Sequence, residues 1–181
     1  MGEPGWKYAA VAAIFRAGPS GAELLFIRRS TLNGDPWAGQ IAFPGGRAEP
    51  GDVDLEHTAR RETMEEVGLD LAAEPVERLG ALDELRARAR TEIVRMAIRP
   101  YAFVVDGAEP ELQPNEEVAS AFWAPISHLT DPARKVRFDA SRAGAPRTFD
   151  AIDLGPGQPL WGLTYHMVQE ILARIRVCVI D

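Results

Sequence analysis

Residues Gly45–Leu69 read GGRAEPGDVDLEHTARRETMEEVGL. The segment Asp54–Val67 predicts a helix. Asp52 is a plausible N-cap, Asp54 sits favourably at the positive end of the helix dipole, and Gly68 suits the position just past the C-terminus. Glu62, Glu65 and Glu66 stand at relative positions 0, +3 and +4, so they project from one arc of that helix. Ala59, Thr63 and Val67 follow four-residue spacing on the adjoining face and can pack inward. The glutamates therefore lie beside the buried stripe, not opposite it.

Three like charges this close repel. Two unit charges at 4 Å interact by roughly 1–4 kcal/mol, depending on exposure. Arg61, four residues before Glu65, can offset one carboxylate. A divalent cation can offset the rest. Ligands that are all oxygen suit a hard ion, Mg²⁺ or Mn²⁺, which shares its shell with water and substrate phosphates. Upstream, Gly45-Gly46 leaves the backbone free to approach a metal or a phosphate. A carbonyl of the loop Gly46–Gly51 and the helix carboxylates are thus expected to form a metal cage open on one side. The plain alternative for any acidic cluster is a solvated helix face.

Working outward, strands are expected at Trp6–Phe15, Glu23–Arg28, Gln40–Phe43, Glu77–Leu85, Val94–Val105 and Ala119–Trp123, although Arg86–Arg90 could extend a helix. Gly18-Pro19-Ser20-Gly21 makes the first turn, and Thr31–Trp37 and Pro110–Glu117 read as loops. Ser127–Leu129 reads as a short turn or helix. Trp161–Arg176 has helical spacing through Leu163, Met167, Ile171 and Ile175, while the Gly/Pro-rich stretch Lys135–Pro159 shows no clear period. Interleaved strands and helices predict an α/β or α+β class with a mixed sheet.

The chain has 181 residues with 46% hydrophobic and 26% charged, which fits one globular domain spanning 1–181. The net charge of −7 excludes a globally basic nucleic-acid surface, so DNA is excluded as an expected partner and RNA is disfavoured. No apolar run approaches the roughly 20 residues of a membrane span. Tyr8–Phe15 after Lys7 is the best signal-peptide candidate, but it lacks a small-residue cleavage site and reads better as a core strand. A soluble, cytoplasmic protein is expected. The lone Cys178 excludes a disulfide framework and a multi-cysteine zinc site, and reads as a small buried hydrophobe. His57, His128 and His166 share no metal-ligand spacing. There is no G-x-S-x-G elbow and no Walker A loop.

Gly46–Leu69 resembles the signature of the Nudix hydrolases, G-x5-E-x7-R-E-U-x-E-E-x-G-U. Gly46, Arg61, Glu62, Glu65, Glu66, Gly68 and Leu69 match it. Thr63 stands at the first hydrophobic position. Asp52 replaces the first glutamate, with eight residues instead of seven before Arg61. That spacing looks like the coenzyme A pyrophosphatase branch. So do Gly39–Gly46 (GQIAFPGG), Leu24-Leu25 followed by Arg28-Arg29-Ser30, Pro114–Val118 (PNEEV) and Leu160–Thr164 (LWGLT). That branch usually carries another basic residue between the Arg-Ser pair and the Gly-Gln-Ile segment, and Thr31–Ala38 has none.

The resemblance implies an α/β/α sandwich with a mixed sheet. It implies hydrolysis of a pyrophosphate bond in a nucleoside diphosphate derivative, with Mg²⁺ or Mn²⁺. Coenzyme A or an acyl derivative is the expected small-molecule substrate, and ADP-ribose or a dinucleotide is the alternative. A nucleotide-sensing module without catalysis is the alternative from another class. Glu62, Glu65 and Glu66 are the expected metal ligands with the Gly46 carbonyl, and Arg61 orients them. The base is Glu62 or a loop carboxylate, Glu116 or Glu117. Arg28 and Arg47, near the Gly-Gly turn in the expected fold, are the candidate phosphate contacts. Members of the family often form homodimers, and Lys135–Pro159 could supply an interface or a lid.

Overall fold

The computed structural model describes residues 5–31, 37–73, 75–88, 95–140 and 147–178. Its centre is β1 (Trp6–Gly18), apolar on both faces. Ala10, Ala12 and Ile14 join one core while Ala13 joins the other. Such a near-continuous apolar run is what a strand covered on both sides requires. β1 turns at Gly18–Gly21 into β2 (Gly21–Arg29), pairing Phe15 with Leu24 and Gly18 with Gly21. Two short strands follow, β3 (Ile41–Ala42) paired with β2 and β4 (Gly45–Arg47) paired with β1.

After helix α1 (Leu55–Val67) come β5 (Val76–Ala81), β6 (Leu85–Arg88) and β7 (Arg95–Val105). β7 lies parallel to β1 over its whole length and antiparallel to β5 and β6. β8 (Val118–Pro125) pairs antiparallel with β2. The sheet is therefore mixed, as expected. Leu85–Arg88 extends no helix, because its backbone bonds are made to β7. Residues 89–94 lie outside the described residues.

Helix α1 covers one face through Ala59, Val67, Leu25, Ile27 and Phe103. Helix α3 (Gly162–Cys178) covers the other through Met167, Val168, Ile171, Leu172, Leu24, Phe26 and Phe43. This is the α/β/α sandwich. The buried stripe of α3 runs through Thr164, Met167, Val168, Ile171 and Leu172, whereas Ile175 is exposed. The side chain of Cys178 lies outside the described residues. No helix among the described residues is long and apolar enough to cross a membrane.

Lys135–Pro159, which has no clear period in the sequence, forms most of a second sheet. A short helix, α2 (Ile126–Thr130), and a 3-10 turn precede it. β9 (Lys135–Asp139), β10 (Thr148–Ile152) and β11 (Leu160–Trp161) then pair antiparallel. Trp161 packs between Phe138 and Phe149, with ring centroids 5.1 and 5.2 Å away.

Candidate active site

The site is built on α1 and the strands under it. Asp54, not Asp52, is the N-cap: its carboxylate accepts from the His57 N–H at 2.7 Å. The helix ends at Gly68, which adopts φ 70°, where a side chain is disfavoured. Thr63 fits its hydrophobic position because its hydroxyl donates to the Ala59 carbonyl at 2.7 Å, leaving the methyl to the core.

Asp52 has a different task. Its side chain, only 3% exposed, accepts from Arg61 Nε and Nη2 at 3.0 and 3.1 Å, from Thr58 Oγ1 and from the Glu49 N–H, and it contacts His57 Nδ1. The Arg61 guanidinium holds the Asp52 carboxyl well below the usual carboxylate range, against the opposing effect of burial. The same contact raises Arg61 above its ordinary value. Arg61 Nη2 also donates to the Arg47 carbonyl. Only Nη1 is left to face the carboxylates of α1, Glu62 at 3.1 Å and Glu65 at 3.2 Å.

The three glutamates part ways. Glu66 is buried and accepts from the Gly45 N–H at 2.8 Å, with Arg29 Nη1 at 3.7 Å from its other oxygen. Its carboxyl is raised to about 7: burial pushes it up most, the Gly45 bond and Arg29 oppose that, and the charges of Glu62 and Glu117 add to the rise. Glu62 is also raised, first by burial, against the pull of Arg61 and with Glu65 and Glu117 adding to it. A Cβ on Gly46 would meet the Glu62 carboxylate at 2.5 Å, so that glycine lets the backbone lie directly under it. Glu65 turns outward, with its side chain 56% exposed.

Among the described residues, no three acidic, histidine or cysteine side chains converge into a ready cation cage. The carboxylates expected to form an open cage are held here by Arg61, Arg29 and the Gly45 N–H. The donor set nevertheless suits a hard divalent cation. It is all oxygen, and burial together with Glu117 disfavours the charged form of two of its members.

The other expected residues are scattered. Arg28 and Arg29 are neighbours on β2, yet Arg29 reaches α1 while Arg28 faces the second sheet. There Arg28 Nη1 donates to the Gly39 and Gln158 carbonyls, both at 3.0 Å. Arg47 is exposed at the end of β4, and its carbonyl is the part that meets Arg61. Glu116 and Glu117 are both exposed, and Glu117 is the one whose charge bears on Glu62 and Glu66. Sequence reasoning passed over Arg29 in favour of Arg28. Side-chain alternation along a strand could have separated them only once the covering face was known. A cavity of about 620 Å³ opens around Arg16, Glu23, Glu109 and Trp123, but Arg16 is already paired with both glutamates and stacked on the indole at 4.5 Å.

The NUDIX domain family model matches residues 7–143. The chain belongs to the Nudix family. Human mitochondrial coenzyme A diphosphatase NUDT8 is 34% identical over 143 residues, covering 78% of this chain and 58% of that protein. An uncharacterized protein of Schizosaccharomyces pombe is 36% identical over 124 residues, covering 66% of this chain and 37% of that protein. The chain thus spans well under two thirds of the length of these relatives. Among solved structures, a MutT/nudix family protein from Enterococcus faecalis superposes with a TM-score of 0.57 at 16% identity, over 97% of this chain and 64% of that one. A C. elegans Ap4A hydrolase gives 0.55 at 20% identity, over 67% and 81%. At these identities the likeness is one of Nudix fold.

Proposed function

We propose that this chain hydrolyses the pyrophosphate bond of a nucleoside diphosphate derivative, with coenzyme A or an acyl derivative as substrate. The observation that carries the reading is Glu62 and Glu66 held against Gly45-Gly46 with Glu117 close by. The likeness to a protein named as a coenzyme A diphosphatase supports the choice of substrate.

The chemistry is transfer of a phosphoryl group to water, which gives two phosphomonoesters from one pyrophosphate diester. Glu62, Glu65 and Glu66, with the Gly46 carbonyl, would hold Mg²⁺ or Mn²⁺. The bound cation would neutralise phosphoryl oxygens and acidify a coordinated water. Glu62 or Glu117 accepts the proton that the attacking water loses. Arg61, clamped by Asp52, keeps Glu62 and Glu65 in place on α1. Arg29 balances part of the charge on Glu66.

The test is incubation with coenzyme A, ADP-ribose and diadenosine tetraphosphate, each with Mg²⁺, Mn²⁺ or a chelator, followed by ³¹P NMR. Coenzyme A should be cleaved fastest, and chelation should stop it. E66Q keeps an oxygen to accept from the Gly45 N–H, so it should melt like the parent while turnover collapses. Cleavage of ADP-ribose or the dinucleotide alone would overturn the substrate and leave the class standing. Cleavage of none, with nucleotide binding retained, would make the chain a sensing module.

A further inference from the structure

We infer that Asn115 is a positioning residue that seats Glu117 against the α1 carboxylates. The inference rests on the function proposed above and adds a residue to it. Three bonds converge on Asn115. Its N–H donates to the Glu66 carbonyl at 3.0 Å, its Oδ1 accepts from the Glu117 N–H at 2.9 Å, and its carbonyl accepts from the Val118 N–H at 3.1 Å.

The first bond ties the loop to the helix. The last carbonyls of α1 lack partners within the helix. The loop supplies them, Gln113 N–H to the Val67 carbonyl at 2.8 Å and Asn115 N–H to the Glu66 carbonyl. The second bond uses a side chain where a turn would otherwise leave the Glu117 N–H unpaired; asparagine is suited to this because its amide oxygen reaches the backbone two residues on. Glu117 is fixed from the other side as well. Its carbonyl accepts from the Ser30 N–H at 2.8 Å, one residue beyond Arg29, which pairs with Glu66. Glu117 is thus held at both backbone ends by groups that are themselves joined to Glu66. Val118 then enters the core and starts β8, so the loop cannot drift on that side. Among the described residues, Asn115 meets the site through its backbone bond to α1 and its grip on Glu117.

The test is a double-mutant cycle on the full chain with N115A, E117Q and the pair, read by kcat and KM on coenzyme A and by calorimetric titration with Mn²⁺. Partners that orient a metal site from outside its ligand set typically change affinity or activity about 10–100-fold. N115A should therefore lower kcat by about 10–100-fold with KM near the parent value, and weaken Mn²⁺ binding. In the E117Q background, N115A should add almost nothing, because its effect passes through Glu117. N115D keeps an acceptor for the Glu117 N–H and should recover most of the turnover. It also guards against N115A failing for reasons of folding, and melts of all five proteins accompany the assay. Equal losses from N115A with and without Glu117 would overturn the inference, as would N115D behaving like N115A, or N115A matching the parent in both readouts. A parent that neither binds Mn²⁺ nor cleaves any of the three substrates would overturn the proposed function and this inference with it. A parent that does both while N115A matches it overturns the inference alone.

Discussion

Gly45 and Gly46 are adjacent, yet alanine at each should fail in a different way. At Gly45 the backbone lies at φ 148°, and a Cβ would stand 2.3 Å from the Ala10 carbonyl oxygen and 2.5 Å from Val11 Cα. Both are backbone atoms of the central strand, so neither can swing away. Unfavourable φ costs about 1–3 kcal/mol and overpacking about as much again, so G45A should lose about 2–6 kcal/mol. For a chain of this size that lowers the melting temperature by at least about 4 °C. At Gly46 the φ lies outside the left-handed region, and the atoms in the way are the Glu62 carboxylate at 2.5 Å, the far end of a flexible side chain. Moving it to ordinary contact at 3.4 Å takes about 0.9 Å. A shift of about 1 Å at a reacting centre can cost about 10²-fold in rate. G46A should therefore melt near the parent temperature and lose about 10²-fold in kcat, and E62Q is expected to show a comparable loss. Circular dichroism melts and turnover on coenzyme A give both numbers. If G46A kept parental turnover, Glu62 would have no part in the chemistry under Gly46. If it melted as low as G45A, the contact distances would have misjudged which neighbour can yield.

Removing charge from Asp52 should loosen the Arg61 clamp. D52N should cost about 1.5–3 kcal/mol in a urea melt, since hydrogen bonds to a charged group are being weakened in a buried setting. The Asp52 carboxyl is depressed in the folded chain, so its contribution is present above the unfolded value near ~3.9 and is lost as pH falls below that. The acid limb of the stability curve should be shallower in D52N than in the parent, and identical limbs would exclude the clamp. R28A removes the two bonds that fasten the Gln158 loop to Gly39. It should cost about 1.5–3 kcal/mol by melt, and an unchanged melt would mean that the second sheet is held without it. Added Mn²⁺ should raise the melting temperature of the parent by mass action and that of E66Q much less. Equal shifts would place the bound cation elsewhere.

What could be read along the chain was what local spacing decides. β1, β2 and β7 announced themselves by apolar content, α1 by its four-residue stripe, and Arg61 with its glutamates by their positions on that helix. What could not be read depends on which distant surface arrives. Asp52 and Asp54 are both able to cap a helix, and the choice turns on Arg61 and Thr58 being in reach of one of them. Arg28 and Arg29 differ only in the face they present. The strands β9 (KVRFD) and β10 (TFDAI) do alternate polar and apolar residues, but each is only five residues long within a Gly/Pro-rich stretch, and such a short alternation does not name its partner; once paired, they bring Phe138 and Phe149 to Trp161. Leu163 and Ile175 satisfy the helical period of α3, but the buried stripe is set by where the sheet lies beneath it.

The division of Arg61 decides the electrostatics of the whole site. Glu62 and Glu66 feel each other's charge and that of Glu117 from the loop before β8, Glu65 lies outward on the same helix, and Arg29 and Arg61 are the cations that reach them. Had Arg61 been free, it could have satisfied two of these carboxylates by itself. Asp52 prevents that by taking Nε and Nη2, and the Arg47 carbonyl shares Nη2, so one nitrogen serves both Glu62 and Glu65. Arg29 stands at 3.7 Å from Glu66, too far for a strong bond. Burial is the main reason that the Glu66 carboxyl is raised to about 7, and the charges of Glu62 and Glu117 add to it. A fold that wanted only a stable helix would have left Arg61 to its glutamates and put an apolar residue at 52. Burying a carboxylate there to restrain an arginine makes sense when the charge left over has a use, and under the function proposed above a divalent cation carrying a pyrophosphate would match that charge and its oxygen donors.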